Sequence, residues 1–426
     1  MESNSDGIKI GKYTLNLKEI GTGSYGTVFI AKDDKGNYYA VKRVNYDKLA
    51  RKVVKEKFIR EIKLTYKLNN KHIVQMIDIL KTEKHVYIFL EYCNGETLNS
   101  FLEKYYDTYQ TLIPQDIIQI FTKQIIEGLA YMAKKNCIHR DLKLENIMLT
   151  SNLTKEKENE FLKTLVEKKS DLIDKIPCKK SIFAFNTFSD DEIPQPFYFS
   201  KNFDFENIKT IMENYTIKLI DLGFAKQIEN NETINSYCGS PLQMPPEIWS
   251  LTLGNGNSYN RKCDLWSLGC TLYNLAFNSF PFLGNDFKEI YKKILNGKYA
   301  IKQVNGLSIE FVDLICGLLK VNPEYRYDYD ILINHPFITK KFEDLEPYDF
   351  GDQSKIILDA NKKENILKNI EIIKKNVLSP EESIDDEKKE KYIDDIFMKN
   401  CEIIEYSVRS KEINDWVYVS LNSLLV

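Results

Sequence analysis

Over about the first 90 residues, apolar and β-branched residues cluster in short runs that are typical of β-strands. Polar turns separate these runs, and Asp33–Asn37 has the composition of a hairpin turn. One charged stretch, 53–68, has helical character instead. The predicted strands are 13–20, 27–33, 38–45, 74–81 and 86–92. This region therefore predicts a small antiparallel sheet with one helix.

Helical spacing of apolar residues replaces these short runs from residue 98 onward, as in Ile117, Phe121, Ile125 and Leu129. A β-rich unit before a larger helical unit is an α+β arrangement of two lobes. The predicted organisation is an N-terminal extension (1–12), one domain (13–340, with lobes 13–92 and 93–340) and a helical C-terminal tail (341–426).

Two polar segments interrupt the pattern. Residues 150–215 are rich in charge and read as a surface insertion in the second lobe, and the tail carries an amphipathic stretch (366–377) followed by an acidic run (381–390). Both segments are candidates for binding partner proteins.

Charge and cysteine content exclude several functional classes. The chain has 59 basic and 62 acidic residues and a net charge of -3, without the basic footprint of a nucleic-acid-binding protein. Its eight cysteines form no Cys-x-x-Cys pair, which favours a reducing cytoplasmic setting over a disulfide framework. We expect no membrane span, since no sufficiently long apolar run is present.

A glycine-rich segment joins the first two predicted strands of the domain and contains Gly21, Gly23 and Gly26. Glycines let a backbone approach phosphate groups without a Cβ clash. A dinucleotide-binding loop shares this spacing but requires a helix next. Here strands follow, and the second of them carries Lys42. This context favours a loop over nucleotide phosphates, with Lys42 as their cationic partner.

An enclosed ammonium group needs an orienting anion. Glu61 is the preferred partner for Lys42, because the apolar residues Phe58 and Ile62 place a buried helix face beside it. Glu56 is the competing carboxylate.

The strongest motif is Ile138–Asn146, with Asp141, Lys143 and Asn146 at the spacing of a phosphoryl-transfer catalytic loop. Such chemistry requires positioning and neutralisation of charge more than covalent catalysis. Asp141 is expected to orient an acceptor hydroxyl and Lys143 to neutralise phosphate charge. Asn146 offers a hard oxygen to Mg²⁺, and Asp221, after a predicted strand, supplies a carboxylate.

Together these motifs resemble those of eukaryotic protein kinases, from about residue 13 to 340. The resemblance implies ATP and Mg²⁺ as cofactors, bound in a cleft between the lobes. It also implies a gatekeeper at Leu90 and a hinge at 91–93. By the same resemblance, the adenine-side residues are Ile20, Val28, Ala40, Leu90, Glu91, Cys93 and Met148. Asp264 and the pair Glu247–Arg326 resemble structural residues of the family.

The positions of Lys143 and Ser240 resemble the pattern of serine/threonine-specific protein kinases. By this resemblance, protein serine or threonine hydroxyls are the expected substrates. The segments 91–95 and 237–244 resemble the autophagy-initiating kinases, whereas Glu145 resembles the calmodulin-dependent group. Ser236, or alternatively Thr233, is a candidate site for a regulatory phosphate near Arg140.

A pseudokinase scaffold is the alternative function, and pseudokinases usually lack a loop glycine, the strand lysine or a catalytic or metal-binding residue. All of these are present here. A small-molecule kinase is disfavoured by the Pro245–Glu247 segment and by Ser240.

Overall fold

The computed structural model describes residues 7–22, 26–151, 215–227, 239–252, 259–304 and 306–367. Within them the expected two-lobed α+β arrangement is confirmed. None of the described helices combines the length and the apolar character that crossing a bilayer requires.

The first lobe is a six-stranded antiparallel sheet with the order β1-β2-β3-β4-β6-β5. Its strands are β1 (Ile8–Ile10), β2 (Tyr13–Thr22), β3 (Gly26–Asp33), β4 (Tyr38–Asn45), β5 (Met76–Lys81) and β6 (His85–Glu91). The strand β1 lies in the predicted N-terminal extension and pairs with β2. Its three residues are too short a run to show alternation.

Both faces of this sheet are covered by apolar side chains. Helix α1 (Lys52–Lys67) buries Phe58 and Ile62 against one face. On the other face Tyr13 stacks on Phe89 with ring centroids 3.9 Å apart. The strands of this sheet thus distribute their side chains between two small cores.

The second lobe is built around α5 (Lys262–Phe277), in which every residue from Cys263 to Phe277 is buried. This helix is buried on all sides, and most of its side chains are apolar. The other helices are α2 (Leu98–Tyr109), α3 (Gln115–Lys134), α4 (Pro246–Thr252), α6 (Phe287–Asn296), α7 (Ile309–Leu318), α8 (Tyr329–Leu332) and α9 (Pro336–Thr339).

The described part of this lobe also contains three two-stranded sheets. They pair β7 (Cys137–Ile138) with β10 (Lys226–Gln227), β8 (Ile147–Ser151) with β9 (Tyr215–Leu219), and β11 (Lys298–Lys302) with β12 (Lys355–Asp359). Ser151 lies opposite Tyr215. The ends of the predicted insertion therefore meet at one end of a hairpin, whereas its interior, 152–214, lies outside the described residues.

The domain boundary at residue 340 stays a prediction, but the chain beyond it differs from the expected helical tail as far as it is described. Residues 341–367 contain a 3₁₀ turn (Phe342–Asp344) and β12, and no α-helix. The run Ile356–Leu358 is rich in β-branched residues and pairs with β11, which explains the strand. Most of the amphipathic stretch 366–377 lies outside the described residues.

Close packing at Gly317 in α7 gives a test of the helical lobe. A Cβ added there would lie 2.0 Å from the Tyr327 ring. Gly317→Ala should therefore lower the free energy of unfolding by about 1–3 kcal/mol through overpacking. Helix propensity alone predicts the opposite, a gain of about 0.5–1 kcal/mol. Thermal denaturation distinguishes the two, and a melting temperature above that of the unmodified protein would contradict the packing described here.

Candidate active site

An ion pair joins the sheet to the helix of the first lobe. Lys42 lies on β4 opposite Val28 and Ile88, and its Nζ is 3.3 Å from Glu61 Oε1 on α1. The two side chains are only 11% and 10% exposed. The competing carboxylate, Glu56, is more than half exposed and lies near Lys52 instead. Of the two candidates, the structure therefore brings Glu61 to Lys42.

The glycines of the loop between β2 and β3 have different surroundings. Gly21 faces open space, with Val28 Cβ 4.0 Å from the position of an added Cβ. At Gly26 an added Cβ would lie 2.0 Å from the carbonyl oxygen of Arg43, so close strand packing already requires glycine there. Gly23 lies outside the described residues.

A buried carboxylate anchors the catalytic loop. Asp264, near the start of α5, accepts the backbone N–H of His139 (2.7 Å, Oδ2) and that of Arg140 (2.8 Å, Oδ1). Arg140 has φ 68°, in the left-handed region that non-glycine residues rarely adopt. Burial raises the pKa of Asp264, and His139 and the two backbone bonds oppose that shift. Asp264 thus stabilises a strained turn directly before Asp141.

Three polar side chains surround the Asp141 carboxylate. Oδ1 accepts the Ser240 hydroxyl at 2.9 Å, and Oδ2 accepts Asn146 Nδ2 at 2.9 Å. Lys143 Nζ lies 3.3 Å from Oδ2 and donates to Ser240 Oγ at 2.9 Å. Asp141 is 6% exposed. The carboxylate is therefore oriented by neighbours and already binds one aliphatic hydroxyl.

The two predicted metal ligands flank the β8–β9 hairpin. Asn146 precedes β8, Asp221 follows β9, and the N–H of Ile220 donates to the Asn146 carbonyl at 2.9 Å. Both described bonds of the Asn146 side chain come from Nδ2, so Oδ1 is the atom that it can offer to a cation. One carboxylate and one amide oxygen fit Mg²⁺, which takes few protein ligands when it also binds substrate phosphates.

Gly223 connects this site to the ion pair of the first lobe. An added Cβ would lie 3.0 Å from Asp221 Oδ1 and 3.5 Å from Glu61 Oε1. Asp221 itself has φ 54° and accepts the Gly223 N–H at 3.3 Å. The turn after β9 therefore places the Asp221 carboxylate beside the helix that carries Glu61.

The predicted adenine-side residues are divided between the lobes. Ala40 lies opposite Leu90, and Ile20 is 38% exposed at the end of the sheet. Met148, on β8, bridges to Thr97 in the second lobe. Cys93 is buried, which raises the pKa of its thiol to about 12 and keeps it neutral at physiological pH. Contact of these residues with adenine stays a prediction.

One interaction was not predicted from the sequence. Lys218 Nζ on β9 lies 2.7 Å from Glu91 Oε1 at the hinge, and both side chains are at least three-quarters buried. The alternation of β9 buries Tyr215, Ile217 and Leu219, so it predicts only that Lys218 faces the other way. Its partner is distant in sequence and depends on the tertiary fold. This ion pair ties the hinge to the strand that leads to Asp221.

A second buried ion pair lies behind the segment that carries Ser240, on the side of the site where a substrate hydroxyl would bind. Arg326, whose side chain is fully buried, donates to both oxygens of Glu247 on α4 at 2.8 and 3.1 Å. The helix α4 follows the 3₁₀ turn Pro241–Gln243, which begins after Ser240. Ser236, Thr233 and Cys238 lie outside the described residues.

Comparison with protein families agrees with this geometry. The family model described as protein kinase domain matches residues 14–163 and 204–338, more than half of the chain. The chain belongs to the protein kinase family. The unmatched gap, 164–203, falls within the predicted insertion.

Comparison with individual curated proteins indicates which kinases the chain resembles. The chain is 27% identical over 345 residues to serine/threonine-protein kinase ATG1c of Arabidopsis thaliana, covering 80% of this chain and 37% of the relative. It is 29% identical to atg1 of Neosartorya fischeri (79% and 34% covered) and 26% identical to ATG1 of Pichia angusta (78% and 37%). These matches support the resemblance to autophagy-initiating kinases. The chain spans about a third of the length of these relatives.

Substitution of Asp264 tests whether its carboxylate holds the predicted catalytic loop in place. Asp264→Asn replaces one acceptor oxygen by an N–H group that faces a backbone N–H. We expect this change to cost about 1–3 kcal/mol of stability and to lower kcat, because Asp141 follows the affected turn directly. Thermal denaturation and steady-state kinetics measure the two effects.

Asp286→Asn is the matched control. Asp286 caps α6 by accepting the Glu289 N–H at 2.7 Å, a bond that asparagine also makes. Equal melting temperatures for Asp264→Asn and Asp286→Asn would contradict the anchoring role.

Proposed function

We propose that this protein is an active Mg²⁺- and ATP-dependent kinase that phosphorylates serine and threonine in protein substrates. The observation that carries the proposal is the environment of Asp141. Its carboxylate binds an aliphatic hydroxyl at 2.9 Å, and the Lys143 ammonium lies 3.3 Å from the same carboxylate. A substrate hydroxyl held there would be oriented for attack beside a group that neutralises phosphate charge.

The roles of the individual residues follow from their positions. Asp141 accepts the hydrogen bond of the substrate hydroxyl, and Lys143 stabilises negative charge at the transferring group. Lys42, oriented by Glu61, binds phosphate oxygens on the side of the first lobe. Asn146 and Asp221 would hold Mg²⁺, and ATP with this ion would supply the phosphoryl group and the neutralisation of its leaving oxygens.

Serine and threonine are the proposed acceptors because Lys143 and Ser240 bridge the site at 2.9 Å. By resemblance, this arrangement is that of serine/threonine-specific kinases. The relatives are named serine/threonine-protein kinases, which supports the same choice. Glu145 is exposed beside the catalytic loop and is a candidate for selecting basic residues near the acceptor.

The pseudokinase alternative finds little support in the site. Lys42–Glu61, Asp141–Asn146 and Asp221 are all held in place by contacts of their own. Two parts of the proposal come from the sequence alone. They are the binding of partner proteins through 150–215 or the tail, and a cytoplasmic location.

A degenerate peptide array with serine, threonine or tyrosine as the acceptor tests this function. We expect the purified protein with Mg²⁺ and labelled ATP to label serine and threonine peptides, and Asp141→Asn to label them at least about 100-fold more slowly, since Asp141 orients the hydroxyl. Assays before and after phosphatase treatment show whether activity requires a phosphate, with Ser236 and Thr233 as candidates. Absence of transfer under both conditions, with ATP binding intact, would favour the pseudokinase.

A further inference from the structure

The chain continues along the second lobe beyond residue 338, where the family match ends. We refer to residues 341–367 as the strap. Its backbone bonds to the lobe at successive points: Ile309 N–H donates to Glu346 O, Tyr348 N–H to Leu307 O, and Gln303 N–H to Ser354 O, all at 2.8–2.9 Å. The strand β12 then pairs with β11 along its full length. The strap is therefore hydrogen-bonded to the lobe at several separate points.

The strap also contributes side chains to the main core. Phe350 and Ala360 are buried in it, and the inward-facing Leu358 packs against it. Ile357, which directly precedes Leu358 on the strand, faces the opposite side and is 59% exposed. This strict sidedness is that of a strand docked on a core.

Two buried charges depend on the strap. The Lys320 side chain belongs to a fully buried residue, and its Nζ donates to the carbonyls of Lys362 (2.9 Å) and Glu364 (2.7 Å). Asp313, also fully buried, accepts the Leu367 N–H at 2.7 Å. Removing these main-chain partners would leave buried charges with fewer hydrogen bonds, which is strongly unfavourable.

Lys320 also connects the strap to the acceptor side of the active site. Its carbonyl oxygen accepts Arg326 Nε at 3.2 Å and Nη2 at 3.0 Å, and Arg326 is the partner of Glu247 on α4. The adjacent Val321 N–H donates to Ala360 O at 3.0 Å. The strap thus contacts the residues that hold the buried ion pair of α4.

The strap is also connected to α4 through α6. The Asn361 side chain donates to the carbonyl of Asn296 at 2.8 Å, at the C-terminal end of that helix. The other face of α6 packs on α4, where the rings of Tyr291 and Trp249 are 5.9 Å apart and Tyr291 OH lies 3.2 Å from Ser250 Oγ. The strap therefore supports α4 from two independent directions.

We infer that the strap is a positioning element for the protein-substrate side of the active site. It holds α4 and α6, and α4 follows the turn that places Ser240 against Asp141. The strap hydrogen bonds named above all go to the second lobe, whereas Lys42 and Glu61, on the ATP side, lie on the first lobe. This inference rests on the proposed kinase function. Loosening the strap should weaken binding of protein substrate while leaving that of ATP unchanged.

The test uses two neighbouring residues on opposite faces of β12 in the full chain. Leu358→Asp places a charge against the core, whereas Ile357→Asp places the same charge in solvent and is the matched control. Amide hydrogen exchange followed by mass spectrometry reports on the strap, α6 and α4. Steady-state kinetics with the best serine or threonine peptide from the array give separate KM values for peptide and ATP.

For Leu358→Asp we expect faster exchange in the strap, α6 and α4, and a peptide KM raised about fivefold or more. The KM for ATP should stay within about twofold of the unmodified protein, and Ile357→Asp should match that protein throughout. Faster exchange confined to the strap with an unchanged peptide KM would overturn the inference. An equal rise in both KM values would also overturn it.

Lys320→Met provides a second variant if Leu358→Asp does not fold, because it keeps a long apolar side chain while removing the two bonds to the strap carbonyls, together with a longer contact to Cys316 Sγ (3.5 Å). The same exchange pattern and the same selective rise in peptide KM are expected, and their absence would overturn the inference. If the protein transfers no phosphate at all, the proposed function fails, whereas exchange in α4 still decides whether the strap holds this helix.

Discussion

The catalytic arrangement depends on one buried carboxylate. Asp264 accepts the backbone N–H groups of His139 and Arg140 and so fixes a turn with a left-handed arginine. A buried charge is tolerated only when hydrogen bonds satisfy it, and here the satisfying groups belong to the catalytic loop itself. The central helix and the position of Asp141 are therefore coupled, since Asp264 belongs to the helix and the two N–H groups that it accepts belong to the turn.

The remaining site is assembled around this fixed point by short contacts between elements distant in sequence. Gly223 leaves room for Asp221 beside Glu61, and Glu61 holds Lys42, so the groups proposed to bind metal and phosphate converge from both lobes. Lys218 ties the hinge to the same strand. Each contact is made within the protein and orients a charged group, which is the form of preorganisation that phosphoryl transfer requires.

Much of this could be predicted from the sequence, because the relevant signals are local. These signals are the β-rich runs, the 138–146 motif and the apolar neighbours of Glu61. Each of them lies within a few positions of the residues that it identifies. The Lys218–Glu91 pair and the strap could not be predicted, because their partners are set by the packing of the second lobe. Likewise Gly26 looks like a phosphate-loop glycine, but the structure shows that its close approach to Arg43 already excludes a side chain.

The most direct test of this account is the Mg²⁺ dependence of ATP affinity, measured calorimetrically for the unmodified protein and for Asp221→Asn. If Asn146 and Asp221 hold the ion beside the phosphates bound by Lys42, Mg²⁺ should strengthen ATP binding in the unmodified protein. The variant should lose about tenfold or more of that gain while keeping its affinity for ATP without Mg²⁺. The same Mg²⁺ dependence in both proteins would contradict the convergence of these groups on one nucleotide.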